Sequence, residues 1–340
     1  MRQPRYLSPT SVKTFHRDKK EFYLKYLVDE RVPRMPQTEP MCVGSAFDAH
    51  IKAYLSEKLF GEIREGYSYE QLFEEQIDEC NRSFARIAGQ RVFDAYMRTG
   101  AVANLLTSLE MASFEPRFET SVEDFVSICG EAVPLLGKPD IYYVVGGEHH
   151  VIVDWKINGY CGNSNTSPKP GFIMAYDSWS YGHYDQSRTH MMPHKDCSLE
   201  TIGDITINVA RTMDQANAEW ADQMSIYAWI LGESIGSQFI VNIEQLAGPG
   251  VIGRGGVEEQ PKIRVAVHRS CVQEVYQRDL EQRIGQCWTA CQSVEAYNAA
   301  APDINTTDLD NLYKAFKVHE GEEKAVVDWY ASITRQHKGF

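Results

Sequence analysis

The spacing of apolar positions changes several times along the chain, and each change predicts a different element. Ser8-Pro9 reads as a helix N-cap followed by proline in the first turn, after which Val12, Phe15, Phe22 and Tyr26 form an apolar stripe. The run PRMPQTEP at 33–40 holds three prolines and ends that helix. Stretches 43–55 and 69–109 are amphipathic, acidic and helical in period, which predicts a helical insertion at 57–113. From Phe114 the pattern turns to alternating, β-branched segments, FETSVEDFVSI, PDIYYVV and HHVIVDWKI, and a sheet is expected to begin there. Residues 157–210, rich in Gly, Ser, Asn, Pro, Tyr and His, read as a long irregular loop of the kind that is functional or disordered. A helix over 214–231 stopped by Gly232, strands at 237–246 and 262–268, and a helix over 270–299 complete the order. Together they predict an α/β fold, a mixed central sheet flanked by helices, in one domain spanning 1–340.

Composition narrows the classes. With 340 residues, 43% of them apolar, the chain can bury a large core, which excludes disorder for most of it. Lys and Arg total 34 against 47 Asp and Glu, a net charge of −13, so bulk charge does not suit it to coating nucleic acid. The basic charge is segregated instead: residues 1–34 hold nine Lys or Arg against four Asp or Glu. Lys13, Arg17 and Lys20 share one face of the first helix, open to two readings, a solvated face or a phosphate contact. No apolar run approaches a membrane span and the N-terminal stretch has no apolar signal core, so a cytoplasmic protein without membrane contact is expected. Eight scattered cysteines without a CxxC read as free thiols, and Cys287 and Cys291, four apart on a helix, as two small buried side chains.

The chemistry concentrates in Gly137-Lys-Pro-Asp140-Ile-Tyr-Tyr-Val-Val-Gly146-Gly147-Glu-His-His-Val-Ile-Val-Asp154-Trp-Lys156. It reads as a β-hairpin turning at Gly146-Gly147-Glu148. With residue 147 at the turn centre, paired positions sum to 294 and Asp140 faces Asp154. Facing carboxylates repel one another unless a cation lies between them, and two at this separation can share one divalent ion. Lys156, two residues beyond Asp154, points to the same side of the sheet, where an ammonium can orient a water or steady charge on a phosphate. An Asp/Lys salt bridge on an exposed sheet face is the simpler alternative.

Pro139-Asp140 followed by Asp154-Trp155-Lys156 resembles the PD-(D/E)xK motif of the nuclease superfamily. Three further stretches resemble its RecB-type exonuclease branch, which includes phage and CRISPR-associated enzymes: LSPTSVKTFHRDKKEFYLKYL matches the opening helix, Val43-Gly-Ser-Ala-Phe-Asp-Ala-His50 the Gly-x-x-x-His helix, and Gln223-Met-Ser-Ile-Tyr227 the Gln-x-x-x-Tyr helix. The likeness runs from residue 7 to about 231 and implies a restriction-endonuclease-like core. It implies a Mg²⁺- or Mn²⁺-dependent deoxyribonuclease, with exonuclease action in recombination, repair or phage DNA metabolism in a bacterial or phage-infected cell. Asp140, Asp154, the Trp155 carbonyl and Asp48 would hold metal; Asp140, Asp154 and Lys156 would be catalytic; Gln223, Tyr227, Lys13, Arg17 and Lys20 would hold the DNA backbone. A homo-oligomer, or a recombination or single-strand-annealing partner protein, would reconcile the acidic total with DNA.

The chain departs from the family pattern in places. Asp48 stands where the family has its metal-binding histidine, and His50, two residues on, would face elsewhere on a helix. Asp18 occupies the place of the first iron–sulfur cysteine, and no cysteine trio follows near the C-terminus, so no iron–sulfur cluster is expected. Glu119 or Glu123 would complete the site from the preceding strand; four residues apart, both fall on one side of a regular strand. His183, His190, His194 and Cys197 lack a recognised zinc spacing, and with Lys169, Arg188 and Lys195 they suit a loop over substrate. Gly248-Pro-Gly250-Val-Ile-Gly253 matches a dinucleotide fingerprint in letters but lies between strands and reads as a hairpin loop. Two rivals remain, a non-catalytic nuclease-fold module that binds DNA or protein, and a zinc-structured interaction protein.

Overall fold

A computed structural model describes residues 1–29, 37–118, 121–159, 174–178, 198–248 and 263–317. Glu119, the histidines and Cys197 of the long loop, Lys169, Arg188, Lys195 and the glycine-rich stretch after Gly248 lie outside them. The described chain holds eleven α-helices and ten strands, in the order α1 Pro9–Arg17, α2 Lys19–Phe22, α3 Glu39–Phe60, α4 Tyr69–Gln76, α5 Arg82–Met97, α6 Gly100–Glu110, β1 Arg117–Phe118, β2 Val122–Ile128, β3 Glu131–Gly137, β4 Ile141–Val145, β5 His149–Gly159, β6 Met174–Ser178, β7 Leu199–Ile202, β8 Ile205–Asn208, α7 Met213–Ala216, α8 Ala218–Ile230, β9 Ile240–Gly248, β10 Ile263–Cys271, α9 Glu274–Ala290, α10 Val294–Ala300 and α11 Thr306–Lys317.

The central sheet is mixed, in the order β1-β4-β5-β9-β10-β6, with β5 and β9 parallel and the other neighbours antiparallel. Helices cover both faces, as the sequence pattern implies. On one side α3, α5 and α6 pack Phe47, Val92, Tyr96 and Leu105 against Tyr143, Val151, Val153 and Trp155. On the other, α1, α8 and α9 bring Phe15, Met224, Tyr227, Leu280 and Ile284 onto Ile152, Val241 and Ile243. Alternation along β5 thus sends Trp155 to one core and turns Asp154 and Lys156 toward α8. Among the described residues no helix is long and apolar enough to cross a membrane.

Several boundaries differ from the sequence reading, each for a local reason. The first helix stops at Asp18, whose carboxylate caps the next one by accepting from the Glu21 N–H, so Lys20 falls in a separate helix. Asn217 divides the helix expected at 214–231 in the same way, accepting from the N–H groups of Glu219 and Trp220. Residues 131–137 form a strand, β3, that pairs with β2 in a separate ribbon. Within the expected 157–210 loop, β5 runs on to Gly159, β6 joins the central sheet and β7 with β8 makes a hairpin. Cys287 and Cys291 are buried free thiols, as their spacing suggests.

Candidate functional site

The β4–β5 hairpin has the expected register. Ile141 pairs with Val153 and Val145 with His149, so each pair sums to 294, and the turn at Gly146 and Gly147 uses φ of 62° and 82° that only glycine adopts without strain. Asp140 sits at the mouth of this ladder opposite Asp154, and the Trp155 N–H donates to its Oδ2 at 2.8 Å. Burial first, and then the charge of Asp154, push the Asp140 carboxyl well above the usual carboxylate range, while Lys52 pulls the other way. Asp154 itself is 4% exposed. Lys156 Nζ lies 2.6 Å from its Oδ2.

Helix α8 closes this group from above. Gln223 accepts from Lys156 Nζ at 2.7 Å through its Oε1, and its Nε2 donates to Asp154 Oδ1 at 3.0 Å and to the Tyr227 hydroxyl at 2.7 Å. One amide therefore sets the orientation of carboxylate and ammonium together. Tyr227 is 6% exposed, so it acts on the site through Gln223 and is not placed to touch a substrate. Burial and the charge of Asp154 hold its phenol firmly protonated.

Helix α3 closes it from the other side. Asp48 is held through Oδ2 by Gln76 Nε2 at 3.1 Å and through Oδ1 by Lys52 Nζ at 2.9 Å; the same ammonium is 3.6 Å from Asp140 Oδ1. Lys52 is 3% exposed. Burial alone would lower its pKa, but Asp48 and then Asp140 outweigh burial and keep it charged. Nothing in the sequence pattern singled this lysine out except its position four residues after Asp48 in a helix buried on most sides. The three carboxylates, Lys52, Lys156 and Gln223 all line one cleft of about 740 Å³.

His50 does not line that cleft. Its ring stacks at 3.9 Å on Tyr69 and 5.1 Å on Phe93, and burial draws its pKa down to about 4. Because the folded-state value lies below the ordinary one, the unfolded chain binds the extra proton between those values, and stability falls as pH drops from about 6.5 toward 4. His50→Phe should flatten that part of the stability profile, an effect of about 1–2 kcal/mol after solvent screening. Urea unfolding at pH 7 and pH 4.5 checks it, and equal pH dependence in both chains would refute it.

Of the other expected residues, Glu123 is engaged by Arg5 Nη2 and Nε at 3.2 and 3.3 Å and does not line the cleft. β1 and β2 belong to different sheets, so one pattern of side-chain alternation does not run through both. Lys13 pairs with Glu219 at 2.8 Å and Arg17 with Glu21 at 2.6 Å, so both basic groups already have acidic neighbours. Lys13 nevertheless borders a smaller cleft of about 330 Å³ that shares Lys156 and Gln223 with the main one. Trp155 is fixed from behind: it packs on Phe47 and donates through Nε1 to the Tyr96 hydroxyl, which bonds the buried Glu244.

Asp48, Asp140 and Asp154 are the residues that could hold a cation. Their hard oxygens suit Mg²⁺ or Mn²⁺, and Asp48 Oδ1 and Asp154 Oδ2 are shut off from solvent against lysine ammoniums. Among the described residues no group of three or more His, Cys, Asp or Glu is gathered closely enough to enclose an ion, and the Lys52 ammonium lies between Asp48 and Asp140.

No family model matches the chain, and no curated protein matches it. Among solved structures, the crystal structure of SSO0001 aligns over 81% of this chain and 84% of its own at 11% identity, with a TM-score of 0.22, a likeness too weak to bear on fold or function.

Proposed function

We propose that the chain is a divalent-metal-dependent nuclease that hydrolyses phosphodiester bonds in DNA, an exonuclease of the RecB-type branch of the PD-(D/E)xK superfamily with a restriction-endonuclease-like core. The observation that carries this reading is the closed group in which Asp140 faces Asp154, Lys156 lies 2.6 Å from Asp154, and Gln223 from the Gln-x-x-x-Tyr helix binds both. A plain surface salt bridge would need neither the buried position of Asp154 nor the amide locked across the pair.

Asp140 and Asp154, with the Trp155 carbonyl as a further donor, would hold the ion, while Asp48, the third expected donor, has its Oδ1 engaged by Lys52. When bound, Mg²⁺ or Mn²⁺ supplies an acidified water and neutralises phosphate charge. The remaining work falls to the chain. Lys156 presents an ammonium where negative charge grows on the phosphate, Gln223 keeps that ammonium aimed, and the Trp155 N–H holds Asp140 in place. Lys13, at the adjoining cleft, would exchange Glu219 for a backbone phosphate. Such local contacts, with a ring of copies or a partner protein to deliver DNA, would offset the net charge of −13.

Linear double- and single-stranded DNA, labelled separately at the 5′ and 3′ ends and incubated with Mg²⁺, Mn²⁺ or EDTA, tests this directly. Metal-dependent loss of one end label is expected. Cuts within a closed circle would make the enzyme an endonuclease, and inertness with every metal would favour a non-catalytic module that binds DNA or protein.

A further inference from the structure

We infer that Lys52 is a chain-borne cation that takes the place of one divalent ion in the carboxylate cluster, so that the site accepts a single metal ion, on the Asp140–Asp154 side. The inference rests on the metal-dependent reading above and specifies how many ions that site can take.

Three observations carry it. The ammonium bridges two acids that face the cleft, 2.9 Å from Asp48 Oδ1 and 3.6 Å from Asp140 Oδ1, which is where a second ion would have to sit to use Asp48. It also has almost no access to water, with 3% exposure on a helix buried on most sides. Removing it from its acidic partners would strand a charge in the interior, so an arriving cation cannot displace it cheaply. Finally, Asp48 is held at its other oxygen by Gln76, so its carboxylate is not free to swing toward an ion elsewhere.

The second lysine behaves differently. Lys156 is 24% exposed at its side chain and touches Asp154 from the solvent edge, so it can withdraw when an ion binds there. Lys52 is buried between its two acids, whereas Lys156 meets its acid at the solvent edge and keeps Gln223 as a second partner. Asp48 and Lys52 then form a neutral unit that braces Asp140 from behind while leaving the Asp140–Asp154 pair its need for positive charge.

Counting bound Mn²⁺ on the full chain, by electron paramagnetic resonance of the free ion and by calorimetric titration, decides the point. The wild type should take one ion, Lys52→Ala two, and Lys52→Ala with Asp48→Asn one again. In EDTA, Lys52→Ala should melt several degrees below the wild type and recover on adding Mn²⁺. A Lys52→Ala chain that folds only with Mn²⁺ supports the inference equally, whereas one that folds in neither condition overturns it, because the ion would then not substitute for the ammonium. Equal ion counts in wild type and Lys52→Ala also overturn it, as would two ions in the wild type. Asp154→Asn reads the underlying proposal separately: it should lose the wild-type ion. If the wild type takes none while Lys52→Ala takes one, Lys52 holds its assigned place and the metal-dependent reading of the native chain fails.

Discussion

Asp154→Ala and Lys156→Ala are each expected to lower DNA cleavage by about 10²–10³-fold or more, with the fold retained. Asp154 is the better-shielded carboxylate of the pair and the group on which both Lys156 and Gln223 converge, so its loss would remove the proposed metal donor and one of the two partners of the ammonium. Lys156→Ala leaves the acids in place and deletes the positive charge beside the developing phosphate charge. Since the two side chains act as a unit, Asp154→Ala with Lys156→Ala should be little worse than either alone.

Stability should move the other way for Asp154. Its negative charge is, after burial, the main influence raising the Asp140 carboxyl, so in the ion-free chain it opposes the ionisation of Asp140. Raised in the folded state, the Asp140 value makes the native chain hold a proton that the unfolded chain has lost, and native stability declines as pH rises through that range. Asp154→Asn removes the repulsion, and the melting temperature in EDTA at pH 8 should equal or exceed that of the wild type. Single-turnover cleavage and thermal unfolding on the same preparation check both halves. Cleavage within tenfold of the wild type in either variant would remove Asp154 and Lys156 from their roles.

The hairpin was legible because a tight turn leaves little freedom: two glycines at the centre dictate the register, and the register dictates which side chains meet. Gln223 was legible for a similar reason, four residues from Tyr227 on one helical face. Lys52 was not. A lysine in an amphipathic-looking stretch ordinarily faces water, and only the packing of α4 and α5 around α3 and the approach of Asp140 from the sheet turn it inward. Glu123 stands away from the cleft, on a ribbon separate from the central sheet, which a pattern of alternation cannot reveal. The breaks at Asp18 and Asn217 had visible signals, since both residues are strong caps, but the apolar stripe running past them hides the extended backbone at each.

The acidic surplus also takes a clearer form in three dimensions. Lys13 and Arg17, the expected phosphate contacts, each rest against a glutamate. A nucleic acid reaching the cleft would have to compete with those carboxylates at the cost of a surface ion pair, which is small. Such exchangeable pairs keep an acidic protein from holding basic patches bare, and they predict binding that weakens steeply with salt.

Gly137→Ala is expected to disturb the site without touching any polar group in it. Gly137 ends β3 just before Lys138-Pro139-Asp140, and its backbone needs no special dihedral; what it needs is space. A Cβ there would lie 2.4 Å from Ile230 Cδ1 and 2.6 Å from Tyr227 Cδ1. The isoleucine terminus can rotate away, but the tyrosine ring is wedged in the core and must carry α8 with it. Overpacking of this kind costs about 1–3 kcal/mol. The larger consequence is chemical: the Tyr227 hydroxyl holds Gln223, and Gln223 holds Asp154 and Lys156, so a shift of the ring is passed to the reacting groups in two steps. Displacement by about 1 Å can cost on the order of 10²-fold in rate, and a loss of about tenfold or more in cleavage is expected here. Tyr227→Phe separates the two effects, since it keeps the packing and removes only the hydroxyl: cleavage should fall with little change in melting temperature. If Gly137→Ala lowers the melting temperature but leaves cleavage at the wild-type rate, α8 does not position the carboxylate and ammonium, and the Gln223–Tyr227 pair is a packing feature alone.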